Sequence, residues 1–218
     1  MSVADVAVQF PKALEVFNHY RIDYCCGGKR SFKEVCENAG LDAASIWETI
    51  SKDGEEELTT NFKKWSASLL VDYILDQHHT YVRDNIPMLQ ELLSKVCDVH
   101  GTHHPELLEI RACFISLAEE LYHHMEKEER ILFPAIKMMG DSTRSIPIAQ
   151  PIAVMMDEHE SAGRLIKEIR RLTSNYTLPS DVCTTYRMTF KKLEAFDNDL
   201  MQHIHLENNI LFEKVGKK

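Results

Sequence analysis

The sequence predicts an all-α fold, an antiparallel four-helix bundle preceded by a small amino-terminal helical domain. Four long stretches carry apolar residues every three or four positions, the period of a helix with one buried face. One construction occurs twice: His79 is followed 45 residues later by His124-x-x-x-Glu128, and His159 is followed 44 residues later by His203-x-x-x-Glu207. The two boxes continue alike, HMEKEERILF against HIHLENNILF, which marks a tandem repeat. Turn signals fall midway between successive histidine levels: Gly101 to Pro105, Gly140-Asp141-Ser142, and Leu178-Pro179-Ser180-Asp181. Folding four helices at those points brings all four levels to one height.

The first unit, residues 1–57, has an apolar pattern through Val6, Phe10, Leu14, Val16, Phe17, Val35, Leu41, Ile46 and Ile50, interrupted by Gly27-Gly28 just after Cys25-Cys26. Its polar end, Ser51 to Glu57, and a linker over 58–67 lead to the bundle, residues 68–218. A segment this short gains most of its burial by docking or by dimerising, so a homodimer is among the expectations.

In the bundle, the first stripe runs Val71, Leu75, His79, Val82, Ile86, Leu89, Leu93, Val96. The second runs Leu107, Ile110, Phe114, Leu117, Leu121, His124, Glu128, Ile131. The third is Met155, His159, Ala162, Ile166, Ile169, and the fourth Tyr186, Thr189, Leu193, Phe196, Leu200, His203, Glu207, Ile210. One histidine on an apolar stripe is ordinarily a satisfied core residue. Six polar groups on four stripes at one level are different, because each unpaired buried group costs on the order of several kcal/mol. A metal removes that cost: imidazole binds neutral, carboxylate binds charged, and the i,i+4 spacing aims both at one point. Four His and two bridging Glu serve two ions, and imidazole with hard carboxylate favours iron or manganese over copper(I) or a thiolate zinc site, with a pair of irons the first expectation. Ferritin-like bundles use Glu-x-x-His instead, which directs the reading away from them.

His100 lies 21 residues beyond His79, about 30 Å along a straight helix, and so reads as a turn or second-site residue unless a kink at Pro87 redirects the chain. His103 and His104 share its turn. His78, His123 and His205 fall off the stripes and read as solvent-facing or outer residues. Glu120 and Glu158 are expected either to orient an imidazole, to line an iron exit path, or to be solvated; Met155-Met156 reads as core packing. Adjacent cysteines close a disulfide poorly. Beside Lys29 and Arg30, Cys25 and Cys26 are expected as exposed thiols for redox exchange or transfer, with burial as the alternative. Cys36, Cys97, Cys113 and Cys183 read as small core residues without zinc spacing.

On these residues, the part from about 68 to 218 resembles a hemerythrin-like domain, with histidine, His-x-x-x-Glu, histidine and His-x-x-x-Glu on successive helices. Asp23-Tyr-Cys-Cys-Gly-Gly28, His78-His79, Val99-His-Gly-x-x-His-Pro-Glu106 and Leu206-Glu-Asn-Asn209 resemble the di-iron iron–sulfur cluster repair proteins. The resemblance implies an oxo- or hydroxo-bridged di-iron centre held by His79, His124, Glu128, His159, His203 and Glu207, the glutamates bridging. It implies a cytoplasmic protein of nitrosative and oxidative stress that serves damaged iron–sulfur proteins by donating iron, by handling nitric oxide, or both. Reduction of nitric oxide would make it an enzyme. The alternative is an oxygen-binding or redox-sensing hemerythrin-like module, which has no need of the Cys-Cys segment.

Composition agrees. The 218 residues are 44% hydrophobic, enough for one sizeable bundle and an appendage, and no long apolar run or signal core is present. Six cysteines without a framework fit a reducing compartment. A net charge of −9 disfavours nonspecific nucleic-acid binding. A hydrolytic metalloenzyme is weaker, for want of a nucleophile arrangement.

Overall fold

A computed structural model of the chain describes residues 1–10, 12–51, 61–141, 147–180 and 182–216. Most of the expected polar connection and linker, residues 52–60, together with Ser142 and Asp181 of two expected turns, lies outside the described residues. The described chain is all-α, with no strand and one isolated bridge between Ser2 and Ser31. Short helices α1 (Val3–Gln9), α2 (Lys12–His19), α3 (Phe32–Asn38) and α4 (Ala43–Ser51) come first. Then α5 (Ala67–Tyr73) passes through a π-helical turn, Ile74–His79, into α6 (Thr80–His100). Likewise α7 (Glu106–Lys127) passes through Glu128–Leu132 into α8 (Phe133–Asp141); α9 is Ala149–Leu172; and α10 (Thr184–Leu206) passes through Glu207–Leu211 into α11 (Phe212–Gly216). The chain divides into two compact units, Met1–Val71 with Met201–Lys218, and Asp72–Leu200.

In the first unit a capping box starts α1: Ser2 Oγ accepts from the Asp5 N–H, and the Ser2 N–H donates to the Asp5 carboxylate. Val3, Val6, Phe17, Tyr24, Phe32, Ile46 and Ile50 are buried. Between α2 and α3 the chain leaves helical geometry, and one carboxylate organises the turn: Asp23 Oδ1 accepts the N–H groups of Cys25, Cys26 and Gly27 at 3.1–3.2 Å. Gly28 is required there, because a Cβ would lie 2.6 Å from the Tyr24 carbonyl oxygen and 2.8 Å from Ala4 Cβ.

In the second unit, cross-contacts order four helices. The start of α6 meets the end of α7, where His79 lies beside Glu128 and Glu129. Midway, Phe196 of α10 packs edge-on against Phe114 of α7 with centroids 5.4 Å apart. At the other end His100 of α6 and His104 flank Tyr186 of α10. The helices are therefore antiparallel in chain order, as the turn signals require. A buried bidentate pair ties α9 to α10: Arg170 donates from Nε and Nη2 to Asp197 at 2.6 Å, and the Tyr176 hydroxyl donates to the same carboxylate at 2.7 Å. Tyr176 reaches it from a left-handed turn, with φ of 48°, 56° and 61° at Ser174, Asn175 and Tyr176.

Two expectations from the stripes are corrected. Ile131 is 61% exposed, and Leu132 and Phe133 are buried in its place; Leu75 is half-buried and Ile74 fully buried. A π turn inserts one extra residue into the helical repeat, so the apolar phase shifts by one position across it. His78 and His205 are also buried, not solvent-facing, whereas His123 is exposed. His78 Nδ1 lies 3.0 Å from Asp199 Oδ1, and His205 Nδ1 lies 3.4 Å from the Tyr24 carbonyl, partners that no stripe reveals.

Candidate metal centre

Within the second unit, His79, His124, Glu128 and His159 are buried, and they converge. Glu128 Oε2 lies 3.3 Å from both His79 Nε2 and His124 Nε2, and His124 Nε2 lies 3.0 Å from His159 Nε2. Ligand atoms each about 2.1 Å from a common ion and at right angles around it stand about 3 Å apart, so groups at this spacing could hold an ion. Every donor is an imidazole or a carboxylate, and none is a thiolate, which fits a borderline-to-hard cation. The π turn that begins at Glu128 and the one that ends at His79 place their distortion at the cluster.

The imidazoles are held from outside by carboxylates. His79 Nδ1 lies 2.7 Å from Glu129 Oε1, which also accepts from Arg83 at 2.6 Å. His124 Nδ1 lies 3.0 Å from Glu158 Oε2, and Lys127 pairs with the other oxygen of Glu158. The hydrogen bond from His124, opposed by partial burial and reinforced by Lys127, holds the Glu158 carboxyl down at about 2. Burial works against ionisation of Glu129, yet His79 and Arg83 keep its carboxyl below the usual range. Such carboxylate–imidazole contacts fix the tautomer that presents Nε2 to a metal. Glu158 is among the residues expected to orient an imidazole; Glu129 is not, and no local pattern marks it, since its partner His79 lies 50 residues away. A groove of about 420 Å³, lined in part by Glu120, His123, Lys127 and Glu158, leads to His124 and His159.

In the first unit, His203 and Glu207 are buried one turn apart, with His203 Nε2 3.1 Å from Glu207 Oε1. The third π turn starts at Glu207, matching the first box. His205 and Asn209 on the same segment face the Cys-Cys turn: Asn209 Nδ2 donates to the Tyr24 carbonyl at 3.1 Å, and the His205 ring packs edge-on to Tyr24. Burial lowers the His205 imidazole to about 4, so it is neutral here.

The expected exposure of both cysteines is corrected for Cys25, which is only 4% exposed. Its sulfur lies 3.5 Å from Cys26 Sγ and from Met201 Sδ. Its contact with the Cys26 sulfur and its burial, with the neighbouring Asp23 carboxylate adding, push the thiol well above the ordinary range. Cys26 is half-exposed. His100 sits at the far end of α6, which continues through Pro87 without ending; it belongs to no part of the cluster.

Among the described residues, no helix is long and apolar enough to cross a membrane. A family model described as the hemerythrin HHE cation-binding domain matches residues 70–215, and one for a domain of unknown function matches residues 1–53. The chain is 34% identical over 216 residues to a probable iron–sulfur cluster repair protein of Haemophilus influenzae, covering 98% of this chain and 95% of that protein. It is 30% identical to the iron–sulfur cluster repair protein ScdA of Staphylococcus haemolyticus, over 97% and 96% of the two chains. It is 34% identical to the iron–sulfur cluster repair protein YtfE of Escherichia coli O81, over 97% and 94%.

Proposed function

The chain belongs to the iron–sulfur cluster repair proteins, with a hemerythrin HHE cation-binding domain over most of its length, and from that membership we propose that it restores iron–sulfur clusters damaged by nitrosative or oxidative stress. The proposed resident group is a pair of iron ions, and the proposed ligands are His79, His124, Glu128, His159, His203 and Glu207. Two irons, when bound, supply both a releasable store of ferrous ion and redox chemistry toward nitric oxide or oxygen. The observation that carries this reading is a fully buried carboxylate, Glu128, set 3.3 Å from two imidazole nitrogens in a His/Glu-only donor set.

Each residue has a task that follows from its place. Glu128 stands between His79 and His124, the position from which one carboxylate can serve two ions, and the repeat assigns Glu207 the same task. Glu129 and Glu158 keep the His79 and His124 rings aimed inward and their outer nitrogens protonated. In the proposal Cys26, half-exposed, is the thiol that meets a damaged client, and Cys25 lies buried behind it. The clients are damaged iron–sulfur proteins, and the compartment proposed is the cytoplasm. An oxygen carrier or sensor leaves the match over residues 1–53 without a role.

The test is transfer. Protein loaded anaerobically with ferrous ion is expected to hold two irons and to reactivate a nitric-oxide-damaged iron–sulfur dehydratase beyond what free ferrous ion achieves. Glu128→Ala is expected to lose the coupled pair of irons, His100→Ala to retain it, and the Cys25→Ala/Cys26→Ala variant to keep iron while transferring it more slowly. Full loading with no recovery beyond free ferrous ion, together with reversible oxygen binding, would overturn repair in favour of the carrier reading.

A further inference from the structure

At the end of the second unit remote from the metal cluster, a second group of reactive side chains comes together. Cys183 immediately precedes α10, and it is the exposed one of the six free cysteines. Its sulfur lies 3.2 Å from His100 Nε2, at the first turn of α10, where the backbone N–H groups of Tyr186 and Thr185 favour its thiolate form. No local pattern reports this pair, since 83 residues separate the two, and the exposure of Cys183 corrects its expected place in the core. The His100 ring packs edge-on to Tyr186 at 5.4 Å, as His104 does at 5.6 Å, so the imidazole is held in place rather than free to swing. Around the His100 ring stand further titratable groups, His104 just before α7 and Tyr186 of α10, and His104 Nδ1 lies 3.1 Å from Glu106 at the start of α7.

The other cysteines differ in kind. Burial pushes the thiols of Cys36, Cys97 and Cys113 up, and Cys97 spends its S–H on the Leu107 carbonyl at 3.2 Å. At Cys183 the backbone N–H of Tyr186, then His100, act the other way and bring the thiol down to about 7. A thiolate beside an imidazole that carries its proton is the arrangement of a nucleophile with its acid.

We propose that Cys183 and His100 form a thiol-exchange site, at which the protein takes up a small thiol from a low-molecular-weight disulfide. The Cys183 thiolate attacks one sulfur of the disulfide; the new S–S bond forms as the old one breaks. The departing thiolate takes the proton from the His100 imidazolium and leaves as a free thiol, so charge and protons balance and no other oxidant is needed. The exposure of Cys183 leaves room for the attached group, and the site stands about 30 Å along α6 from His79 by the rise of a helix. The exchange is therefore independent of the metal centre.

The test uses the full-length, iron-loaded protein and oxidised glutathione as probe, with the adduct located by peptide mass spectrometry. The adduct is expected on Cys183, and Cys183→Ser is expected to abolish it without changing iron content. The pH profile of Cys183 alkylation by iodoacetamide is expected to have its midpoint near 7 and to move up toward the ordinary thiol range, about 8.5, in His100→Gln. The rate at pH 7 is expected to fall only about two- to fivefold, since a less acidic thiol forms a more nucleophilic thiolate. Modification falling mainly on Cys26, or an unchanged pH profile in folded His100→Gln, would overturn the proposal.

Discussion

Glu129 and Glu158 touch the proposed centre only through His79 and His124, yet both sit under opposing forces: a partly buried carboxylate on one side, an imidazole and a cation on the other. Removing either frees its imidazole to turn or to change tautomer. Glu129→Ala and Glu158→Ala are each expected to weaken metal binding about 10–100-fold while leaving helix content unchanged, measured by competition with a chelator. Asp197 gives a contrasting prediction, because three hydrogen bonds end on one buried carboxylate. Asp197→Ala strands the Arg170 charge and is expected to cost about 3–5 kcal/mol in a denaturant titration. The burial of the six proposed ligands was legible because each replaces an apolar residue at a core position of a regular stripe. Glu129, His78, His205 and the Cys183–His100 pair were not. Their partners lie 50, 121, 181 and 83 residues away, and no local pattern reports a contact across such a span.

The helices themselves followed from periodicity and turn chemistry; the π turns did not. A π turn has no composition of its own, and its mark in the sequence is a phase slip of one residue that looks like a noisy stripe. Ile131 shows what the slip does, since it occupies an expected core position and is exposed. Replacing it with alanine is expected to change stability by no more than about 0.5 kcal/mol. Deleting it should restore ordinary helical pitch and bring Leu132 to the core position that a regular repeat gives Ile131, so that α8 keeps its buried face. The deletion variant is expected to keep its far-ultraviolet helix signal and its buried apolar face but to bind less than half the metal, because the π distortion that begins at Glu128 is lost. Equal metal content in the two variants would show that the π turn is dispensable.

The molecule divides in a way its repeat does not suggest: the last residues, from Met201, form a compact unit with the first 71. Cys25 meets Met201, and the Tyr24 carbonyl meets His205 and Asn209. A fragment lacking residues 1–57 is thus expected to melt lower than the full chain, to bind a hydrophobic dye, and to retain iron less well. An unaltered melting temperature would show those contacts to be marginal. There is also a consequence for biosynthesis. Tyr24 and Asn209 are 185 residues apart, and at the ordinary pace of about 5–20 residues per second a ribosome needs roughly 10–40 s to make the second after the first. Through that interval the newborn amino-terminal segment carries its vicinal thiols without their final cover, and their chemistry is at the mercy of whatever oxidant or metal the surroundings hold until the last helix is released.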